Sequence, residues 1–434
     1  MASKETIFEV PPNKGLNYTM GILFIVISAV LFSCYLILPS KDRSPAERRA
    51  DLQDFPKVSF ETIFAKRTEA LSDEELAEVN SNDGPYNFME YFKTYAEDQF
   101  PGRVTWMRIK TISDVVLGRN RFEAGGSAVY HSDGRLLPDS DYSYMQNAVN
   151  DAGVPVVSNY NANLAAINRI SSTGERNYYL ALVPTSSTVY NDRLPSYVTV
   201  PNEVETVFPD MLAKAGVGEN LTYLNLYEAL YANRDEYIYY RTDHHWTSLG
   251  AYYAYQSMMA GMGRTAVDQR AFTIGQATDG FYGAYYNTAF GINVQADTME
   301  TWVPTGQPLQ VTIDGSSTYD SLRAKTSDSL YFPEALEADY PAMDPYDYYL
   351  AGNQAYVKIV NPAITDGSKV LVAVDSYAHG MAQFLSASFG EVHYLDYRLI
   401  DFRRDGVEKY AALHGIDDVV FMFCSDGLNR TKIG

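Results

Sequence analysis

From about residue 150 onward, short runs of apolar residues alternate with segments in which apolar positions recur every three or four residues. That alternation predicts strands buried on both faces, separated by amphipathic helices that cover them. The pattern predicts a helix from Asn159 to Ser172, a strand from Asn177 to Pro184, a helix from Val204 to Ala215 and a strand in "TYLNL". A further short strand, "EYIYY", leads into "RTDHHWTSLG", and "SLGAYYAYQSMMAGM" then reads as a helix. Near the end the order is strand "KVLVAV", helix "AHGMAQFLSASFG", strand "EVHYLDY", helix "GVEKYAALHG" and strand "DVVFMF". Such an order defines an α/β fold with a mostly parallel sheet and helices on both faces. Residues from about 275 to 360 break the rhythm. They are rich in Gly, Thr, Tyr and Asp, and read as a β-rich insertion.

Before residue 150 the pattern differs. Tyr18 to Leu38 carry no charge and, at helical rise, are long enough to cross a bilayer core. No small-x-small cleavage site follows, which points to an uncleaved signal anchor. The charges around it, Lys4 and Lys14 before and Lys41, Arg43, Arg48 and Arg49 after, lean toward a cytoplasmic C-terminus. A short tail, a first apolar segment and a large following domain form the opposite, ordinary anchor layout. The chain is thus expected to divide into a tail and transmembrane anchor (1–39), a charged helical stalk or linker (40–95), a main domain (96–424) and a C-terminal tail (425–434). "FPGRVTWMRIKTISDVVLG" opens the main domain as a helix ending at Gly118, and "GSAVYHSDGRLLPD" as a hairpin turning at Asp133-Gly134.

Composition narrows the partners. A formal net charge of −20 excludes the basic face that nucleic acids require and disfavours docking on anionic lipid. Cys34 lies inside the apolar run and Cys424 near the end, so no internal disulfide is expected. The 36 tyrosines suit stacking on sugar rings, as they also suit sheet and interface packing. Neither a G-x-G-x-x-G nor a P-loop occurs, so no nucleotide cofactor is expected.

Two stretches carry chemistry. Asp243-His244-His245-Trp246 precedes a helix, and an aspartate beside a histidine can fix its tautomer and stabilise its charged form. In "VLVAVDSYAHG", Asp375-Ser376 follows an apolar strand and opens a helix, so the Ser376 hydroxyl sits near free backbone N–H groups that can stabilise an oxyanion. Each stretch reads equally as an ordinary helix cap taken by itself. Together they hold the nucleophile, base and acid that acyl transfer needs. Asp243, His244 and His245 are alternatively candidate ligands for a divalent ion, as in a metal-dependent hydrolase, although no HExxH, HxH or cysteine pair accompanies them. His379, three residues after Ser376, reads as a surface residue or a substrate contact. His131, His393 and His414 stand alone.

"TDHHWTSLGAYYAY" followed downstream by "VAVDSYAHGMAQFL…VHYLDYR" resembles the DHHW family, which is close to the SGNH-hydrolase-like alginate O-acetylation proteins. "FPGRVTWMRIK", "LALVPTSSTVYNDRLP", "DGFYGAYYN" and "YLAGNQAYVKIVNP" agree, so the resemblance spans about residues 90 to 424. It implies a three-layer α/β/α sandwich outside the membrane, with the catalytic order permuted so that Asp and His precede Ser. By this resemblance Asp243, His245 and Ser376 form a triad, with His244 at a variable position. Gly283, Gly352, Asn353, Arg398 and Trp246 become candidates for oxyanion or substrate contacts, with no metal and no cofactor. The implied protein is a single-pass cell-membrane protein with its C-terminal domain outside the cell. It would be an O-acetyltransferase modifying a cell-surface or secreted polysaccharide, served by a membrane-bound O-acyltransferase. An acetyl-esterase of the same glycan, or an envelope scaffold or glycan-binding protein with a decayed site, are the alternatives.

Overall fold

Along the strand Lys369–Val374, alternate side chains enter different cores. Val370, Val372 and Val374 pack into one buried cluster, while Leu371 and Ala373 pack into another. Asp418–Cys424 divides the same way, with Val420 and Met422 on one side and Val419, Phe421 and Phe423 on the other. A strand apolar on both faces needs cover on both faces. On the first side, the helix Ser248–Gly261 supplies it through Ala251, Tyr255 and Met258. On the second, the helices Asn159–Thr173, Phe208–Lys214, Gly406–His414 and Ser425–Arg430 supply Leu164, Met211, Val407 and Leu428. The result is a three-layer α/β/α sandwich.

This computed structural model describes residues 14–44, 52–65, 87–124, 127–140, 159–306, 308–314, 325–340, 344–400, 406–430 and 433. Its main sheet has eight strands, in the order Leu221–Asn225, Asn177–Val183, Asp418–Cys424, Lys369–Val374, Glu391–Asp396, Tyr356–Val360, Gln310–Asp314 and Lys325–Ser327. The first five run parallel and the last three antiparallel. The β-rich stretch from 275 to 360 therefore does more than insert: it builds the antiparallel edge of the sheet. It also completes a separate hairpin, Phe272–Phe281 with Asp297–Pro304.

Two expected elements take other forms. "EYIYY" is no sheet strand: Tyr239 makes only an isolated bridge to Trp246, within its own loop. The helix expected after Ser376 is a 3-10 turn, Ser376–Met381, followed by the short helix Ala382–Leu385. The hairpin at Ser127–Ser132 and Arg135–Pro138 turns where expected. Asp133 and Gly134 both adopt positive φ (50° and 69°), the conformation a tight two-residue turn demands.

The described residues fall into two units, 1–109 and 110–434. In the first, the helix Lys14–Ile37 contains a window, Tyr18–Tyr35, of mean hydropathy 2.0 with no part buried. It is long and apolar enough to cross a membrane, a property shared by signal anchors and signal peptides. The short helix Phe60–Phe64 and the helix Phe88–Asp98 follow, and Phe55 packs edge-on to Phe88, Phe92 and Tyr95. Much of the expected 40–95 stalk, residues 45–51 and 66–86, lies outside the described residues.

One buried strand residue ties the fold to pH. His393 has no exposed surface; its Nδ1 lies 2.9 Å from the Tyr410 hydroxyl and its Nε2 3.2 Å from the Glu391 carboxylate. Burial pushes its pKa down to about 3, with Lys358 and His414 adding to the shift and Glu391 opposing it. In the unfolded chain the ring titrates near ~6.5. Below that pH the unfolded chain takes up a proton that the folded chain refuses, so stability falls as pH falls. This ring alone is expected to cost about 1.4 kcal/mol between pH 7.5 and 5.5. Burial shifts His245 and His379 the same way. Urea unfolding should therefore show a lower midpoint at pH 5.5 than at pH 7.5, and equal midpoints would refute the account.

Candidate active site

The DHHW motif sits at the tip of a loop closed on itself. Tyr240 N–H donates to the His245 carbonyl (3.2 Å) and Thr247 N–H to the Ile238 carbonyl (3.0 Å). Thr247 then caps the helix Ser248–Gly261, its hydroxyl accepting from Gly250 N–H. The tip is held from outside by Asp297, which is fully buried. Its carboxylate accepts from the N–H groups of Arg241 (2.7 Å) and Thr242 (2.8 Å) and from the hydroxyls of Thr242 and Tyr237 (2.5 Å each).

Within the loop, Asp243 Oδ1 accepts from both the backbone N–H of His245 (2.9 Å) and its ring Nδ1 (2.6 Å). Oδ2 accepts from Ala284 N–H (2.7 Å). All three donors are aimed at one carboxylate, which fixes the His245 ring with its proton on Nδ1 and its lone pair on Nε2. Nε2 lies 2.8 Å from Ser376 Oγ, a residue 131 positions later in the chain. Tyr346 stacks on the His245 ring at 3.7 Å, only 4° from parallel, and fixes its plane.

Ser376 reaches this place because Lys369–Val374 is an inner parallel strand, flanked by Asp418–Cys424 and Glu391–Asp396, and the chain leaves its carboxyl end directly into the 3-10 turn. That end of a parallel sheet is where active groups of α/β folds collect. Asp375 caps the turn: its Oδ1 accepts from Tyr377 N–H and its Oδ2 from Cys424 N–H on the neighbouring strand. Ser376 N–H, the first donor of the turn, has no acceptor among the described residues. Two bonds tie the turn to the histidine loop. The Trp246 indole N–H donates to the Tyr377 carbonyl (3.0 Å), and the Tyr377 hydroxyl donates to the His244 carbonyl (2.6 Å).

Electrostatics suit a resting base. Burial would raise the Asp243 pKa, but the charges and hydrogen bonds of His244 and His245 overturn this and hold it well below the usual carboxylate range. Burial, then the charge of His244, holds the His245 pKa below the ordinary imidazole range against the opposing pull of Asp243. At neutral pH the pair is thus a carboxylate beside a neutral imidazole whose Nε2 can accept a proton.

The other sequence candidates have different surroundings. Gly283 lies against Asp243, where a Cβ would come within 2.2 Å of the Asp243 Cβ, so only glycine allows this approach. Its N–H already donates to Thr242 Oγ1 (3.0 Å), and Gly352 N–H donates to the Tyr349 carbonyl (3.1 Å). Trp246 is buried and its indole N–H is spent on Tyr377. None of these three presents a free donor to a substrate. Asn353 Oδ1 accepts from Arg398 (2.7 Å), whose guanidinium also pairs with Asp396 at the end of the adjacent strand. The Arg398 charge is felt by His245, His379 and Asp375.

Asp243, His244 and His245 present ligand atoms within 4.8 Å of one another, the spacing a cation would need. Asp243 Oδ1 and Oδ2 and both His245 nitrogens are, however, already hydrogen-bonded, so a metal would have to displace the contacts that aim the imidazole. Sequence reasoning missed Tyr346, Asp297 and Ala284, which come from the irregular stretch between 275 and 360. Of the two readings of His379, a surface residue or a substrate contact, the structure overturns the first, since the side chain is buried.

Fold and site together define an α/β/α sandwich with a carboxylate, an imidazole and a hydroxyl hydrogen-bonded in a row at the carboxyl end of its parallel strands. The family model described as "DHHW protein" matches residues 113–395, more than half of the chain, and the protein belongs to that family. None of the curated proteins matches the sequence. Among solved structures it is similar to a DHHW family protein from Eubacterium siraeum DSM 15702, at 22% identity over 72% of this chain and 96% of that one, TM-score 0.54. It is also similar to Bacillus cereus PatB1, at 19% identity over 71% of this chain and 99% of that one, TM-score 0.55. A PatB1 structure with a sulfonyl adduct matches at 20% identity over 70% and 97% of the chains, TM-score 0.54. These likenesses show a shared fold.

Proposed function

We propose that this protein is a membrane-anchored, extracytoplasmic O-acetyltransferase that modifies a cell-surface or secreted polysaccharide through a triad of Ser376, His245 and Asp243. The observation that carries the reading is the 2.8 Å approach of Ser376 Oγ to an imidazole whose other nitrogen is held by a carboxylate. Residues 1–39 serve as tail and anchor, 40–95 as spacer and 96–424 as the catalytic domain, with a membrane-bound O-acyltransferase delivering the acetyl group.

The chemistry runs in two halves. Ser376 Oγ bonds to the acyl carbon of the donor ester and its proton passes to His245 Nε2. The carbonyl pair moves onto oxygen, where Ser376 N–H donates to it. Collapse expels the leaving alkoxide, which takes the proton from His245. A sugar hydroxyl then gives its proton to His245 and attacks the acetyl-serine, and the proton returns to Ser376 as the acetylated sugar leaves. Asp243 stays ionised and balances the imidazolium in each half.

Water in place of the sugar would make the same site an acetyl-esterase. Turnover of an acetyl ester by the purified chain, with and without an oligosaccharide acceptor and with and without a chelator, tests the proposal. Acetylated oligosaccharide should form, in amounts unchanged by the chelator. Free acetate alone, whatever the acceptor, would make the protein an esterase. Loss of turnover with chelator would restore the metal reading, and no turnover of any ester would leave a binding scaffold.

A further inference from the structure

An oxyanion in a buried site needs more than one donor. Ser376 N–H is one. The N–H groups of Gly283 and Gly352 are already committed within the protein. The turn that carries Ser376 also carries His379. Residues 376–381 form a 3-10 helix, in which positions three apart eclipse one another about 6 Å along the axis, so the two side chains leave the same face. His379 is only 5% exposed. Its ring lies 19° from parallel to Tyr346, the same ring that stacks on His245. Its Nδ1 is buried without a partner, and neither ring nitrogen is bonded to a described residue. A buried polar ring without partners is costly to keep, and this one shares Tyr346 with His245 and its turn with Ser376. Burial, then the charges of Arg398 and His245, hold its pKa well below the ordinary imidazole value. The ring is therefore neutral, with one N–H to donate and no tendency to take up a second proton.

We infer that His379 is a catalytic residue, donating its imidazole N–H to the acyl oxygen beside the Ser376 N–H. The inference rests on the reading of Ser376 as nucleophile. As Oγ bonds to the acyl carbon, the carbonyl pair moves onto the oxygen, and the resulting oxyanion accepts both hydrogen bonds. No proton leaves His379, and its bond weakens again when the carbonyl re-forms and the leaving group departs. Neutral imidazole serves here because the donor must remain a donor throughout the cycle.

The test uses 4-nitrophenyl acetate and the full chain. His379→Phe keeps the ring beside Tyr346 and removes the N–H; His379→Gln keeps an amide donor. The Phe variant should lose about 100-fold or more in kcat with KM within about threefold, and the Gln variant should recover about tenfold of that loss. Affinity for an aryl boronate, whose tetrahedral adduct carries the same negative oxygen, should fall in step with kcat/KM. A Phe variant within about threefold of the parent kcat, or Phe and Gln variants equally impaired, overturns the inference. Where a variant loses its cooperative thermal transition, the unmodified protein decides: the His379 N–H resonance should move downfield on boronate addition, and an unmoved resonance overturns the inference. Ser376→Ala is run alongside. If it keeps full activity, the nucleophile reading fails; if it is inactive while His379→Phe is not, only the role of His379 fails.

Discussion

Ser376→Ala is expected to abolish acetyl transfer, lowering kcat by about 10⁴-fold or more, while the protein stays folded. Among the described residues the side chain hydrogen-bonds to His245 alone, and the cap of its turn belongs to Asp375, so the substitution removes the nucleophile and little else. The Cys424 thiol lies beside Asp375, but burial and then the Asp375 charge push its pKa well up, so its thiolate is scarce. The measurement is acetyl-ester turnover together with mass analysis of the acyl-enzyme. Parent-level turnover in the Ala variant would place the nucleophile elsewhere.

Asp243→Asn should come next, at about 10³- to 10⁴-fold in kcat. Each carboxylate oxygen faces donors only: His245 N–H and Nδ1 at one, Ala284 N–H at the other. An amide puts an NH2 against one of these sets. Turned toward Ala284, it confronts a donor with a donor, at a cost of about 1–3 kcal/mol, and the imidazolium loses its counter-charge. Turned toward His245, it drives the ring proton to Nε2, and the base is gone. Because the Asp243 charge raises the His245 pKa, the acid limb of any residual activity should move to lower pH. A variant within tenfold of the parent, with an unmoved pH profile, would exclude Asp243 from the relay.

Those three side chains were legible in the sequence because each stands in a dense local motif. Their supporting residues were not. Tyr346 and Asp297 come from a stretch without periodicity, and their contacts with the motif loop depend on tertiary placement alone. The sandwich was legible where burial on both faces forces continuous apolar strands, as in Lys369–Val374 and Asp418–Cys424. "EYIYY" misled because its aromatic residues mimic a strand. Tyr240 packs edge-on to Phe281 and Tyr346, and Tyr239 donates its hydroxyl to the Pro184 carbonyl, so aromatic packing and not a sheet ladder holds this segment. The segment after Ser376 misled in the opposite direction. Its composition favours an α-helix, but its first residues form a 3-10 turn that Asp375 caps and that accepts the Trp246 indole N–H at the Tyr377 carbonyl.

The strand order also has a temporal meaning. Asp418–Cys424 pairs with Asn177–Val183 on one side and Lys369–Val374 on the other, yet it follows both in the sequence and is the last of the described strands. Until it arrives, the sheet exists as two halves, each with an unpaired edge in what will become the middle of the domain. The sheet that carries Ser376 is thereby joined across its middle only once residues 418–424 have been made.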